Sequence, residues 1–155
     1  MRQRSTSFTH LLIVAALLLP VNAAWSEGKS SEAKVAVEAL IEKDQRPDPA
    51  TAAKLAKSGA VLLDVRNEEE WAAGHAKGAV FMPLRTISDR ALQRFPDKDI
   101  PIVTYCAVGG RAKLAARSLR ILGYTHVLAM THGFDELKAA DYPIEISPAS
   151  ADGTP

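Results

Sequence analysis

Short apolar runs alternate with amphipathic stretches through the middle of this chain of 155 residues. Four of the runs predict strands: Val61 to Val65, Ala79 to Met82, Ile102 to Tyr105 and Val127 to Met130. Between them, Ile87 to Phe95 and Arg111 to Leu122 carry apolar residues at helical spacing. Strands that are apolar on both faces must be covered on both faces. The alternation therefore predicts an α/β fold with a mainly parallel central sheet flanked by helices on both faces.

The beginning of the chain has the composition of a secretory signal peptide. Arg2 and Arg4 precede an apolar run of 11 residues from Leu11 to Val21, and small residues that a signal peptidase reads follow it. The run contains Pro20 and is too short to cross a bilayer. We predict a signal peptide over residues 1–23 and an exported protein, periplasmic or secreted, with no stable membrane anchor after cleavage.

The remaining chain divides into an extension, one domain and a tail. Residues 24–46 are the predicted N-terminal extension, in which Ser30 to Lys43 have one apolar and one charged face and predict a helix. Residues 47–146 contain the alternating pattern and predict a single domain. Residues 147–155 are small, polar and without periodicity, which predicts a disordered tail.

Charge and cysteine content exclude several classes of partner and site. The formal net charge is +1, from 19 basic and 18 acidic residues, which disfavours nucleic acid as a partner. Cys106 is the only cysteine, so the chain can form neither an internal disulfide nor a multi-cysteine metal site. The histidines and carboxylates do not have the spacing of metal ligands, and we predict no metal site.

Cys106 stands at the carboxyl end of a predicted strand, which is where α/β folds carry their ligand sites. The tight loop Ala107-Val108-Gly109-Gly110 follows it, and Arg111 opens the next predicted helix. Unpaired N–H groups at a helix N-terminus stabilise negative charge, which favours a thiolate and an anionic substrate. Arg111 adds a permanent cation with a planar fork of donors. We predict Cys106 as the catalytic residue and Ala107, Val108, Gly109, Gly110 and Arg111 as the substrate-binding residues.

A second interpretation of Cys106 needs no function. A lone cysteine after an apolar strand is most often a small buried hydrophobic residue. Two glycines and an arginine within five residues of the cysteine are hard to explain by packing alone. This combination favours an active site.

The segment Cys106-Ala107-Val108-Gly109-Gly110-Arg111-Ala112 resembles the active-site loop of the rhodanese family of sulfurtransferases, which often has Cys-x-x-Gly-x-Arg and then a small residue. Two other parts of the chain also resemble the family, and they stand in the order that the family has. The first, before the loop, consists of Leu62-Leu63-Asp64-Val65-Arg66 with Glu69 to Trp71, Gly74-His75 and Gly78-Ala79. The second, after the loop, consists of Gly133-Phe134-Asp135-Glu136-Leu137 with Tyr142-Pro143. The resemblance spans about Asp48 to Glu145 and, together with the predicted signal peptide, implies a single-domain, exported member of the family.

The resemblance implies transfer of a sulfane sulfur through a persulfide on Cys106. The donor would be a small anion such as thiosulfate, the acceptor cyanide or a thiol, and no cofactor would be needed. Some family members carry a cation at the positions of Ala107 and Val108; its absence here predicts weak affinity for thiosulfate. We expect a monomer or a weak homodimer.

Three further polar residues belong to the segments that carry the resemblance. Asp64 and Arg66 end the first predicted strand and could reach the site, but we expect them to pair with neighbours and brace the loops. His75 is expected in a turn or at a helix end with a structural role. Trp71 and Phe81 are predicted to lie in the core.

Two other functions remain open. Cysteine-dependent phosphatases use Cys-x5-Arg, whereas four residues separate Cys106 from Arg111, so a phosphate-sized anion should fit poorly. Phosphatase or arsenate reductase activity therefore ranks below sulfur transfer. The remaining alternative is a rhodanese-like sulfur-carrier or binding module with little turnover of its own.

Overall fold

The computed structural model describes the backbone of residues 21–146 and the side chains of residues 29–146. Its strands are β1 Val61–Asp64, β2 His75–Ala76, β3 Val80–Phe81, β4 Ile102–Tyr105, β5 Val127–Ala129 and β6 Ile144–Glu145. Its α-helices are α1 Val21–Glu42, α2 Pro49–Lys57, α3 Glu68–Ala72, α4 Ile87–Arg94, α5 Gly110–Ile121 and α6 Phe134–Ala139. A short 3-10 helix, Leu84–Thr86, leads into α4.

The central sheet has four parallel strands in the order β3, β1, β4, β5. Leu63 of β1 pairs with Val80 on one side and with Thr104 on the other, and Thr104 pairs in turn with Ala129. β2 and β6 form a separate antiparallel pair. The parallel order brings the carboxyl ends of β1 and β4, and hence Asp64 and Tyr105, to one edge of the sheet.

Successive residues of the central strands enter two different cores, one on each face of the sheet. Leu63 and Ile102 are buried with residues of α4 and α5. Leu62 and Val103 are buried with residues of α1, α2 and α6. Burying apolar side chains on both faces removes the water-exposed surface that such strands would otherwise present. The predicted α/β class, with a parallel sheet between helices, is confirmed.

The predicted elements differ from the observed ones mainly at their ends and in the short connections. α1 begins at Val21 rather than Ser30, since no proline interrupts the intervening residues. α3, α6, β2 and β6 were not predicted because each has six residues or fewer, too few to show a period. His75 lies in β2, not in a turn or at a helix end.

The predicted terminal segments fall largely outside the described residues. Residues 1–20 of the predicted signal peptide and the whole predicted tail, 147–155, are in this group. Residues 21–23 form the first part of α1. Within the described part of the chain, no helix combines the length and apolar character needed to cross a membrane.

Candidate active site

The Cys106 thiol lies under a loop that leads from β4 into α5. Its side chain is fully buried, and its Sγ accepts a hydrogen bond from the backbone N–H of Gly109 at 3.1 Å. Gly109 is the N-cap of α5 and has a φ of 88°, a left-handed conformation that favours glycine. Val108, in the same loop, is 84% exposed. The structure places the Cys106 thiol at the N-terminus of α5, as predicted.

The loop from β5 to α6 packs directly against the loop that follows Cys106. A Cβ added at Gly133 would lie only 1.5 Å from the backbone oxygen of Ala107. A Cβ added at Gly109 would lie 2.9 Å from the backbone oxygen of Thr131. Glycine is therefore required at Gly133 for space alone, because its φ of −110° is open to any residue.

The N-terminal extension holds this second loop in place. The guanidinium of Arg46 donates from Nε to the backbone oxygen of Ala129 at 3.1 Å and from Nη2 to that of Met130 at 2.6 Å. The backbone N–H of Thr131 donates to the oxygen of Pro47 at 2.9 Å. Arg46 and Pro47, at the junction of the extension and the domain, thus hold the end of β5 and the residues that pack against the Cys106 loop.

Arg111, the predicted anion-binding cation, is engaged by a carboxylate. Its Nη1 and Nη2 donate to Oε2 and Oε1 of Glu70 at 2.6 and 2.7 Å. Glu70 is held in turn by the capping box of α3, where its Oε2 accepts from the N–H of Asn67. The hydrogen bonds from Arg111 lower the pKa of Glu70, and the same contact raises the pKa of Arg111.

Glu70 was not among the predicted site residues. The spacing of Asn67 and Glu70 is that of a capping box and could have placed the carboxylate at a helix start. Its pairing with Arg111 joins residues 41 positions apart, which no local pattern shows.

Asp64 and Arg66 form a buried network beneath the site. Arg66 donates from Nη2 to Oδ2 of Asp64 at 2.7 Å and to the backbone oxygen of Gly74, also at 2.7 Å. The hydroxyl of Tyr105 donates to the same Oδ2 at 2.6 Å. Burial raises the pKa of Tyr105 well above its ordinary value, so the hydroxyl remains a donor. The network ties β1 to β4 and to the turn before β2.

His75 belongs to an aromatic cluster in the interior. Its ring stacks on that of Trp71 with centroids 3.4 Å apart, and its Nδ1 lies 3.1 Å from the backbone oxygen of Trp71. The Phe81 ring packs against that of Trp71, with ring centroids 4.8 Å apart. The prediction that Trp71 and Phe81 lie in the core is confirmed.

An open groove of about 280 Å³ runs beside Arg111. Val65, Pro83 and Leu84 supply apolar lining, and Asn67, Arg66, Arg85 and Arg111 supply polar groups. Arg85 pairs with Glu68, so the groove has a second arginine-carboxylate pair beside that of Arg111 and Glu70. Within residues 29–146, no three His, Cys, Asp or Glu side chains are placed to hold a metal ion.

Comparison with known proteins agrees with this geometry. The profile of the rhodanese-like domain family matches residues 48–140, which include β1, β4, the Cys106 loop and Glu70. The chain belongs to the rhodanese-like domain family. The matched residues begin after Arg46 and Pro47, so the contacts of the extension lie at the edge of the shared domain.

Two curated relatives are thiosulfate sulfurtransferases. The chain is 36% identical over 103 residues to thiosulfate sulfurtransferase GlpE of Pseudomonas fluorescens, covering 66% of this chain and 92% of that protein. It is 35% identical over 65 residues to thiosulfate sulfurtransferase PspE of Escherichia coli, covering 42% of this chain and 62% of that protein. A solved structure described as rhodanese with anions from E. coli shares 28% identity at a TM-score of 0.51, over 56% of this chain and 99% of that one.

Proposed function

We propose that this protein transfers a sulfane sulfur from a small anionic donor to a thiophilic acceptor through a persulfide on Cys106. The observation that carries the proposal is the hydrogen bond from the Gly109 N–H to Sγ at the N-terminus of α5. A backbone donor and the positive end of a helix both stabilise negative charge on sulfur. Family membership supports the same chemistry.

The reaction has two balanced steps. The Cys106 thiolate attacks the outer sulfur of thiosulfate, a new S–S bond forms, and sulfite leaves with the electron pair of the broken S–S bond. Cyanide or a thiolate then attacks the outer sulfur of the persulfide, and the Cys106 thiolate leaves. Both the thiolate and the persulfide are anions beside the Gly109 N–H, so the loop stabilises the enzyme before and after the first step.

Arg111 is less available to bind an anionic donor than its position next to the Cys106 loop predicts. Glu70 accepts from both terminal nitrogens of Arg111, so a thiosulfate dianion competes with a carboxylate for this cation. We therefore propose weak binding of thiosulfate, and better use of a donor with less negative charge, such as a thiol persulfide. The groove beside Arg111 is the proposed approach for donor and acceptor.

Access to the sulfur is the second feature that bears on rate. The Cys106 side chain is fully buried, so a donor can contact Sγ only after the atoms that cover it have moved. Slow turnover would make the protein a sulfur carrier. The fully covered thiol is the observation that favours this second candidate.

Mass spectrometry of the purified protein tests the persulfide directly. Incubation with thiosulfate should add one sulfur atom to the chain, and cyanide should remove it with release of thiocyanate. Cys106→Ser should gain no sulfur and produce no thiocyanate, because an alcohol cannot form a persulfide. Persulfide formation without multiple turnovers would identify the carrier. A wild type that never gains sulfur from thiosulfate or from a thiol persulfide would exclude both.

We also propose export with removal of the signal peptide over residues 1–23. The charged start and short apolar run support it. N-terminal sequencing of the protein recovered from outside the cytoplasm should find a chain that starts at Ala24 or Trp25. An intact Met1 on all recovered protein would contradict export by this route.

A further inference from the structure

A second cleft lies between the N-terminal extension and α5, apart from the Cys106 loop. It has a volume of about 250 Å³. The extension contributes Asp44 and Arg46, and α5 contributes Lys113 and Arg120. No residue of the loop from Cys106 to Arg111 is among the residues that line it.

The side chains that line this cleft include three cations and one carboxylate. Among residues 29–146, Arg46, Lys113 and Arg120 have no carboxylate oxygen within 4.0 Å. Arg46 and Arg120 each donate to backbone oxygens, which leaves further N–H groups of both guanidinium groups for a ligand. Three like charges around one cleft repel each other, and an anion placed among them removes that repulsion.

The lining also has an apolar part. Leu128 and Ala116 are buried residues at the edge of the core, and Ile41 is 39% exposed. The volume corresponds to about eight water molecules in the liquid, which exceeds the size of a bare oxyanion. We propose that the cleft binds a small organic anion that carries at least two negative charges and an apolar portion.

Binding of an anion in the cleft should change the hydrogen bonds that support the Cys106 loop. Arg46 lines the cleft and donates to the oxygens of Ala129 and Met130. Thr131 follows these residues and lies against Gly109. An anion that draws the Arg46 guanidinium toward the cleft changes the hydrogen bonds that support the active-site loop. The binding itself does not depend on sulfur transfer.

Phthalate, a small organic dianion with an aromatic ring, is a suitable probe for nuclear magnetic resonance titration of the ¹⁵N-labelled protein. The amide signals of Ile41, Gln45 and Ala129 should shift and saturate, while sodium chloride at the same ionic strength should not reproduce the shifts. The amides of Val108 and Gly109 can shift as well, because Arg46 links the cleft to the Cys106 loop; shifts at these two amides alone indicate binding at the loop instead. Saturation confined to those two amides, or shifts that chloride reproduces, would overturn the proposal.

Two substitutions should change the affinity in opposite directions. Lys113→Gln removes one of three cations and should weaken phthalate binding about three- to tenfold. Asp44→Asn removes the carboxylate and should strengthen it; Asn tolerates the φ of 50° at this position. Arg117→Gln is the matched control, since Arg117 is exposed on the same helix and does not line the cleft. Equal effects of Lys113→Gln and Arg117→Gln, or weaker binding by Asp44→Asn, would show that the charges of the cleft do not hold the anion.

Discussion

Arg111, the residue that ends the Cys106 loop, and Glu70 bind each other through two hydrogen bonds of 2.6 and 2.7 Å. The pair joins the first turn of α5 to α3, and the side chains are 35% and 27% exposed. The Arg111 guanidinium is therefore neither free nor deeply buried. Its availability to an anionic donor depends on how readily Glu70 releases it.

Replacing Glu70 with Gln should lower the KM for thiosulfate about three- to tenfold, because the donor no longer competes with a carboxylate for Arg111. Gln at this position can still serve the capping box of α3. Steady-state cyanolysis measures the effect. Glu145→Gln is the matched control, since Glu145 pairs with Lys77 and neither residue lines the groove beside Arg111. An unchanged KM in Glu70→Gln would show that Arg111 does not bind the donor.

The same pair should make stability depend on acid pH. Hydrogen bonding to Arg111 lowers the pKa of Glu70 below its ordinary value of 4.5, so the folded state holds the Glu70 proton less tightly than the unfolded chain does. The resulting stabilisation is fully present above that value and is lost as pH falls through the lowered pKa. It amounts to about 1 kcal/mol or less, because both side chains are partly exposed.

Melting curves of the wild type and Glu70→Gln between pH 6 and pH 3 test this dependence. The wild type should melt higher at pH 6, and the difference should shrink toward the acid end. A difference that stays constant over this range would contradict a role for the Glu70 charge.

Gly133→Ala should displace the Cys106 loop, because the new Cβ would lie 1.5 Å from the backbone oxygen of Ala107. Forcing a methyl group into so close a contact costs about 1–3 kcal/mol. Chemical denaturation should show the loss, and persulfide formation should fall with it. Gly110→Ala is the matched control for stability, since a Cβ there meets nothing within 4 Å. Equal stability of the two variants would mean that the contact at Gly133 is relieved without cost.

Arg46→Gln should lower kcat/KM for thiosulfate about three- to tenfold, because the residues behind the Cys106 loop lose two hydrogen bonds and the loop loses its fixed geometry. Arg46→Lys should recover part of the loss by donating to one of the two oxygens. Arg117→Gln is the matched control, because it also removes an exposed arginine. A fall in melting temperature with unchanged kinetic constants would assign Arg46 to stability alone.

Sequence alone predicted the strand and helix that flank Cys106 to within one residue. β4 is an uninterrupted buried strand, and Gly123 follows α5, so both boundaries have a local cause. The family resemblance added the expected chemistry of the loop but not the residues that surround it. The partners that shape the loop are long-range: Arg46 is 83 residues from Ala129, and Glu70 is 41 from Arg111.

His75 shows the same limit in the core. Its stacking on Trp71 joins residues only four positions apart, yet the contact depends on the turn at Gly74 and on the short strand β2. An element of two residues has no period to read. Such contacts arise from the packing of several elements together.

The contact between Gly133 and the backbone oxygen of Ala107 also limits the length of the loop above Cys106. The backbone behind this loop is already at the distance where a single methyl group would collide. A residue inserted between Cys106 and Arg111 therefore finds no room on that side. Lengthening the loop to hold a tetrahedral oxyanion requires a matching change in the β5–α6 loop, so the two loops can change length only together.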